Sequence, residues 1–175
     1  MKELVEKVLQ GRAHEWSVVP TQEISFSPEL RKACEVNTCG NYNKSWSCPP
    51  AVGTVEEQRE KILVFEKAFV FTTKFDLEDS FDYEGMIKAK DIHNELTMEI
   101  HRQFGKTNPV YGAGGCVVCE KCAFPEPCRF PDRMISSVEA AGINVAKLSQ
   151  KANIKYHNGP NTVTYFSMIL FNEQP

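Results

Sequence analysis

At 175 residues, with 20 Lys and Arg against 23 Asp and Glu and a formal net charge of -3, the chain shows no polybasic surface of the kind that binds nucleic acid or an anionic membrane. A chain of this length buries about 70% of its unfolded surface, so a single domain over 1–175 is expected, and metal need not supply all of its stability. Seven cysteines cannot all pair in disulfides, no run reaches transmembrane length and the first residues lack the apolar core of a secretory signal, so the reading is a reducing cytoplasm where thiols remain available to metal.

In chain order, Leu4, Val5, Val8 and Leu9 have helical spacing, and Gly11 suits the exit. Trp16–Val19 and Ile24–Phe26 are short strand candidates around a turn at Pro20. Ser27-Pro28-Glu29 reads as an N-cap with proline at the first helical position, and the short helix it opens delivers Cys34. The first cysteine group follows, CEVNTCGNYNKSWSCPP, holding Cys34, Cys39 and Cys48. Gly40, Asn41 and Asn43 favour an irregular loop, and Pro49-Pro50 prevents helix or central strand after it.

Thr54-Val55-Glu56-Glu57 is a capping-box pattern opening a helix to about residue 65. Residues 68–73 read as a buried strand, 76–82 as an aspartate-rich turn, and 84–104 as the longest helix, with Ala89, Leu96, Ile100 and Phe104 on its apolar face. His93 and His101 lie on it, and neither has a histidine at i+4, so both read as packing or surface residues rather than ligands. Asn108–Tyr111 reads as a short strand. Pro131 and Asp132 suggest the first turn of a helix ending at Ala141-Gly142, residues 144–153 another helix, and Thr162–Phe171 the clearest strand. The expectation is an α+β fold: a sheet packed by helices, with both cysteine loops gathered at one end.

The second cysteine group, GAGGCVVCEKCAFPEPCRFP, carries most of the chemistry. Cys116, Cys119 and Cys122 recur every third residue, and Cys128 follows after a longer gap. The opening matches the bacterial ferredoxin run C-x2-C-x2-C-x3-C-P. The last gap here is instead C-x5-C, and Arg129-Phe130 separates the final cysteine from Pro131. Thiols at this period on a glycine-led loop can converge on one inorganic core, so Cys116, Cys119, Cys122 and Cys128 read as a [4Fe-4S] site. Zinc is the rival, although structural zinc sites usually take two C-x2-C pairs across a longer loop; unrelated buried thiols are the bland alternative.

Gly114 and Gly115 can bring backbone N–H groups close to cluster sulfides, and Arg129, with Lys121 and Arg133, can offset thiolate charge. A GAGG string can also cradle phosphate, but no following Lys-Ser/Thr supports that. Cys34, Cys39 and Cys48 suggest a second metal site, incomplete with three thiolates and therefore open to a further ligand; alternatively Cys34 is a core thiol. Cross-ligation, with Cys48 joining the 116–122 run and Cys128 joining Cys34 and Cys39, is also compatible with the sequence.

With both groups in hand, the chain resembles a family of small cysteine-rich proteins described as predicted metal-binding proteins, frequent in anaerobic bacteria and archaea. The resemblance rests on Cys34, Cys39-Gly40-Asn41-Tyr42, Trp46-Ser47-Cys48-Pro49-Pro50, the Cys116–Cys122 run, Cys128-Arg129-Phe130-Pro131 and Ser137-Val138-Glu139-Ala140-Ala141-Gly142, nearly the full length. It implies metal binding of iron-sulfur kind, and no substrate or partner. Three functions stay open. One is an iron-sulfur electron carrier or redox accessory that docks a redox partner protein near Tyr42, Trp46, Phe124 and Phe130. The second is an enzyme with an open iron at Cys34, Cys39 and Cys48, with Glu35 and His157 as acid-base groups. The third is a zinc-stabilised interaction module. Radical-SAM, Walker A, GxSxG and HExxH signatures are absent from the sequence.

Overall fold

The structure, a computed structural model, describes residues 1–173. Its centre is an antiparallel pair, β2 (Lys67–Asp76) and β5 (Thr162–Phe171), in register from Lys67 opposite Phe171 to Asp76 opposite Thr162. β1 (Glu15–Pro20) pairs antiparallel with β2 on one side. On the other, β3 (Val110–Gly112) pairs antiparallel with β5 and parallel with the two-residue β4 (Ser136–Ser137), giving the order β1-β2-β5-β3-β4.

Five α-helices accompany the sheet among the described residues: α1 (Lys2–Leu9), α2 (Pro28–Lys32), α3 (Val55–Leu63), α4 (Tyr83–Phe104) and α5 (Val145–Ala152). Strand alternation sends Ala68 and Val70 to one face of β2 and Phe69 and Phe71 to the other, and all four are fully buried. The first face packs Ile62 of α3 with Leu148 and Ala152 of α5; the second packs Val5 and Leu9 of α1 with Leu96 and Ile100 of α4. Burial on both faces is why 68–71 is a continuous apolar run and not an alternating one. The fold is α+β, a sheet packed by helices. Among the described residues no helix is long and apolar enough to cross a membrane.

The helix signals at the ends of α2 and α3 hold. Ser27 Oγ accepts from the Leu30 N–H at 3.2 Å. At Thr54 both halves of the capping box form: Glu57 N–H donates to Thr54 Oγ1 at 3.1 Å, and Thr54 N–H to Glu57 Oε2 at 2.7 Å. Two expectations fail. Ile24–Phe26 is no strand: a 3₁₀ turn at Thr21–Glu23 precedes it, and only Phe26 bridges, to Ile143. The helix expected over 131–141 does not form either. Pro131–Arg133 makes one 3₁₀ turn, then the chain extends and Ser136–Ser137 pairs with Tyr111–Gly112. Val138 N–H donates to the Gly112 carbonyl at 3.0 Å, so long-range strand pairing displaces the local helix signal and buries Ile135 and Val138. Gly142 ends this segment at φ +79, and a side chain there would lie 2.7 Å from Val55 Cγ2, which fixes glycine at the crossing with α3.

This architecture launches the cysteine-rich loops. The first leaves α2 and returns to α3; the second leaves β3 at Gly112. A Cβ on Gly112 would sit 3.3 Å from Thr97 Cγ2 of α4 and 3.8 Å from Ser167 Oγ of β5, so the second loop departs from a closely packed point of the sheet.

Candidate metal centre

The two cysteine loops are folded against each other. Trp46 of the first donates its indole N–H to the Glu126 carbonyl of the second at 2.8 Å and meets the Phe124 ring edge-on, centroids 5.1 Å apart. Buried Ser47 accepts from the Cys116 N–H at 3.0 Å, while its Oγ lies 3.0 Å from Ser45 Oγ and 3.8 Å from Cys48 Sγ. One hydroxyl thus ties the backbone of the 116–128 run to the last cysteine of the other loop.

Cys116, Cys119, Cys122 and Cys128 line one small cavity, closed by Ser45, Trp46 and Ser47. Cys48, Cys34 and Cys39 are not among its walls. Cys48 is buried, its Sγ 3.6 Å from where a Gly115 side chain would begin, and its electrostatic neighbours are Cys39 and Cys34. Cys128 thus shares a cavity wall with the 116–122 run, and Cys48 lies outside it. Among the described residues no three His, Cys, Asp or Glu side chains converge closely enough to hold a single metal ion.

Cys122 sits in a nest of donors. Desolvation pushes its thiol up, but hydrogen bonds from the backbone N–H groups of Phe124, Trp46 and Ala123 and from the Ser45 hydroxyl outweigh that, and the net pKa is lowered. Cys34 and Cys48 shift the other way, chiefly through desolvation; Arg31 opposes the shift at Cys34, and hydrogen bonding from Ser47 opposes it at Cys48. In metal-free, reduced protein near pH 8, Cys122 is expected to alkylate ahead of Cys34 and Cys48, read by peptide mass spectrometry after limiting iodoacetamide. Cys48 labelling first would contradict this ordering.

Several expected neighbours stand elsewhere. Gly114 and Gly115 do not line the four-cysteine cavity. They border a smaller one over Asn94, Thr97 and Met98 of α4, and Gly115 closes against Asn41 and Cys48. Arg129 does line the four-cysteine cavity, and its guanidinium donates to the Lys121 carbonyl rather than pairing with Glu126. Arg133 lies 5.3 Å over the Phe130 ring. His93 is fully buried in the core, and His101 Nε2 donates to the Asp132 carbonyl at 2.9 Å. His157 packs edge-on against Tyr156. On the other side of Trp46 and Cys128 a cleft of about 830 Å³ opens, with Gln58, Lys61 and Tyr111 on its walls, so Cys128 borders both spaces.

Sequence reasoning missed Arg31 of α2. Its Nη2 donates to the Gly53 carbonyl at 2.9 Å, while Nε and Nη1 are buried without a partner. Desolvation lowers its pKa, opposed by Cys34, Tyr42, Cys48 and Glu35. The available signal was its place on a helix three residues before Cys34, a spacing that puts two side chains on one face.

A sheet-and-helix domain carrying seven free cysteines on two mutually packed loops defines a thiol-rich protein with the donor set of a metal binder. The chain belongs to the family described as Predicted metal-binding protein (DUF2284), whose family model matches residues 17–171 and so spans every cysteine. No curated protein and no solved structure matches it.

Proposed function

We propose that Cys116, Cys119, Cys122 and Cys128 hold one [4Fe-4S] cluster and that the protein serves in electron transfer, as a carrier or redox accessory in the cytoplasm. The observation that carries this reading is the single cavity ringed by these four thiols and roofed by Ser45-Trp46-Ser47. Four thiols on one cavity wall match the Cys₄ ligand set of a [4Fe-4S] cluster.

When bound, such a cluster supplies reversible one-electron exchange. The chain's own groups would set its terms. The donors around Cys122 lower its pKa and would withdraw charge from a ligating sulfur. Trp46 and Phe124 exclude water from one side. Phe130, 43% exposed on the cavity wall, offers apolar surface where a redox partner protein would dock. Arg129 adds positive charge at the wall, which favours the reduced, more negative state. Arg129→Ala is expected to lower the midpoint potential by tens of millivolts, within about the 59 mV that marks a tenfold change for one electron. An unchanged potential removes Arg129 as a tuner.

The deciding experiment is metal and acid-labile sulfide content, with a visible spectrum, on protein purified without oxygen. Iron and sulfide near four per chain support one cluster, and about double that supports two. Stoichiometric zinc without sulfide ends the redox reading and leaves a zinc-stabilised module.

A further inference from the structure

We propose that the cleft walled by α3 on one side and by residues of the 125–134 segment on another binds a small aromatic monocarboxylate, with Lys61 meeting its charge and Gln58 hydrogen-bonding it. No thiol takes part in this binding, so the site does not depend on a cluster in the four-cysteine cavity.

At about 830 Å³ the cleft has the size of a small-molecule site. Pro109, Pro125 and Pro127 stand on its walls with Val52 and Met134, and Trp46 closes one side. Proline rings have no side-chain rotamers to freeze. Trp46 is already held by the bond from its N–H to the Glu126 carbonyl and by its edge contact with Phe124. The walls are therefore preformed, and an occupant need not order them. Rigid apolar walls that include an indole suit a flat aromatic body.

The polar groups of the cleft fix the other end of the ligand. Gln58 and Tyr111 line it as buried side chains, 4% and 7% exposed. Gln58 Nε2 donates to the Val52 carbonyl at 2.6 Å, and its Oε1 accepts from the Tyr111 hydroxyl at 3.3 Å. These bonds orient the amide and leave one of its two N–H groups without an acceptor among the described residues. Burial pushes the Tyr111 phenol up to about 12, so it stays neutral and does not repel an anion. Lys61 follows Gln58 by one helical turn on the same face of α3 and is exposed. It forms no ion pair among the described residues. A spare N–H donor and a free ammonium on one helix face, beside apolar walls, are the donor set for a carboxylate with an apolar body. Charge limits that ligand to a monoanion. Among the described residues Lys61 is the one lysine or arginine on the walls, and Asp132, also without an ion pair, adds a negative charge of its own. The second charge of a phosphate would have no cation to meet it.

The test uses the full chain purified without oxygen, with para-benzoylbenzoate as the aromatic carboxylate and para-hydroxymethylbenzophenone as its neutral counterpart. Calorimetry reads affinity, and light-activated crosslinking followed by peptide mass spectrometry reads the place. Benzoylbenzoate is expected to bind saturably and to label Met134 or its neighbours on the cleft wall, with naphthoate competing better than naphthyl phosphate. Lys61→Gln should weaken the carboxylate about threefold, the scale of an exposed ion pair, and Lys61→Glu about tenfold, with the neutral compound unaffected by either. Lys61 is exposed, so both variants should fold. Absence of saturable binding, or crosslinks confined to other surfaces, overturns the site. Equal weakening of both compounds, or of neither, overturns the role of Lys61, and better competition by the phosphate overturns the monoanion. Iron and sulfide measured on the same samples keep this proposal apart from the cluster reading. Iron-loaded protein that binds no carboxylate sinks this proposal alone, and protein without sulfide that still binds it sinks the cluster alone.

Discussion

Cys122→Ala is expected to lose the iron and sulfide of the proposed cluster almost completely, while Cys48→Ala keeps them. The two thiols lie on loops that touch, so simple proximity would not separate them. What separates them is the cavity wall, which includes Cys122 and excludes Cys48. Cys122 also has hydrogen-bond donors that lower its pKa, and a metal-bound cysteine must be deprotonated. Cys48 is desolvated, which pushes it towards the neutral thiol. Iron and sulfide analysis after anaerobic reconstitution reads the outcome directly. Loss of the cluster in Cys48→Ala, with retention in Cys128→Ala, would restore the cross-ligated arrangement that the sequence leaves open. Ser47 adds a control: it joins the Cys116 N–H to the Cys48 side, so Ser47→Ala tests coupling between the loops without deleting a thiol.

The strong local signals in the sequence were sufficient for much of the fold. Thr162–Phe171 forms β5 with those limits, because ten residues rich in β-branched and aromatic side chains suit a central strand. The Thr54 capping box and the long α4 follow equally local rules. The error over 131–141 has a different origin. Pro131 and Asp132 are sound helix openers, but Ser136 and Ser137 find a ladder partner in β3, some twenty-five residues earlier, and no local pattern encodes that pairing.

The site divides in the same way. The spacing of Cys116, Cys119 and Cys122 marks them as a group, whereas the roof supplied by Ser45-Trp46-Ser47 depends on contacts across the fold. Sequence adjacency points to counter-charge beside the second group, at Lys121, Arg129 and Arg133. Arg31, on the helix before the other group, has two guanidinium nitrogens buried without a partner, and only that distinguishes it from an ordinary helix-surface arginine.

The second large effect belongs to the core under the site. His93 of α4 is fully buried, its Nδ1 2.8 Å from Thr73 Oγ1 and its Nε2 2.7 Å from Ser167 Oγ. Thr97 Oγ1 lies 2.9 Å from the same Ser167 hydroxyl and donates to the His93 carbonyl at 2.9 Å. Phe71 and Tyr165 flank the imidazole, with centroids 5.9 and 5.8 Å away. Desolvation pushes its pKa down to about 4, partly opposed by a backbone hydrogen bond at Phe166. Because the folded pKa lies below the unfolded value, the unfolded chain binds the extra proton between about pH 6.5 and 4. The contribution to stability is therefore complete above pH 6.5 and drains away as pH falls towards 4, by about 3 kcal/mol in all. His93→Gln keeps a neutral polar group and removes that titration. It should cost about 2 kcal/mol at pH 7, through lost packing and hydrogen bonds, yet flatten the fall in stability between pH 6.5 and 4 relative to the parent chain. Urea midpoints for both proteins at pH 7, 5.5 and 4.5 measure it. The same slope in both would mean that carboxylates elsewhere govern the acid response. A flattened slope would identify the packed seam of α4 and β5, from which Gly112 launches the cysteine loop, as the acid-sensitive support of that loop.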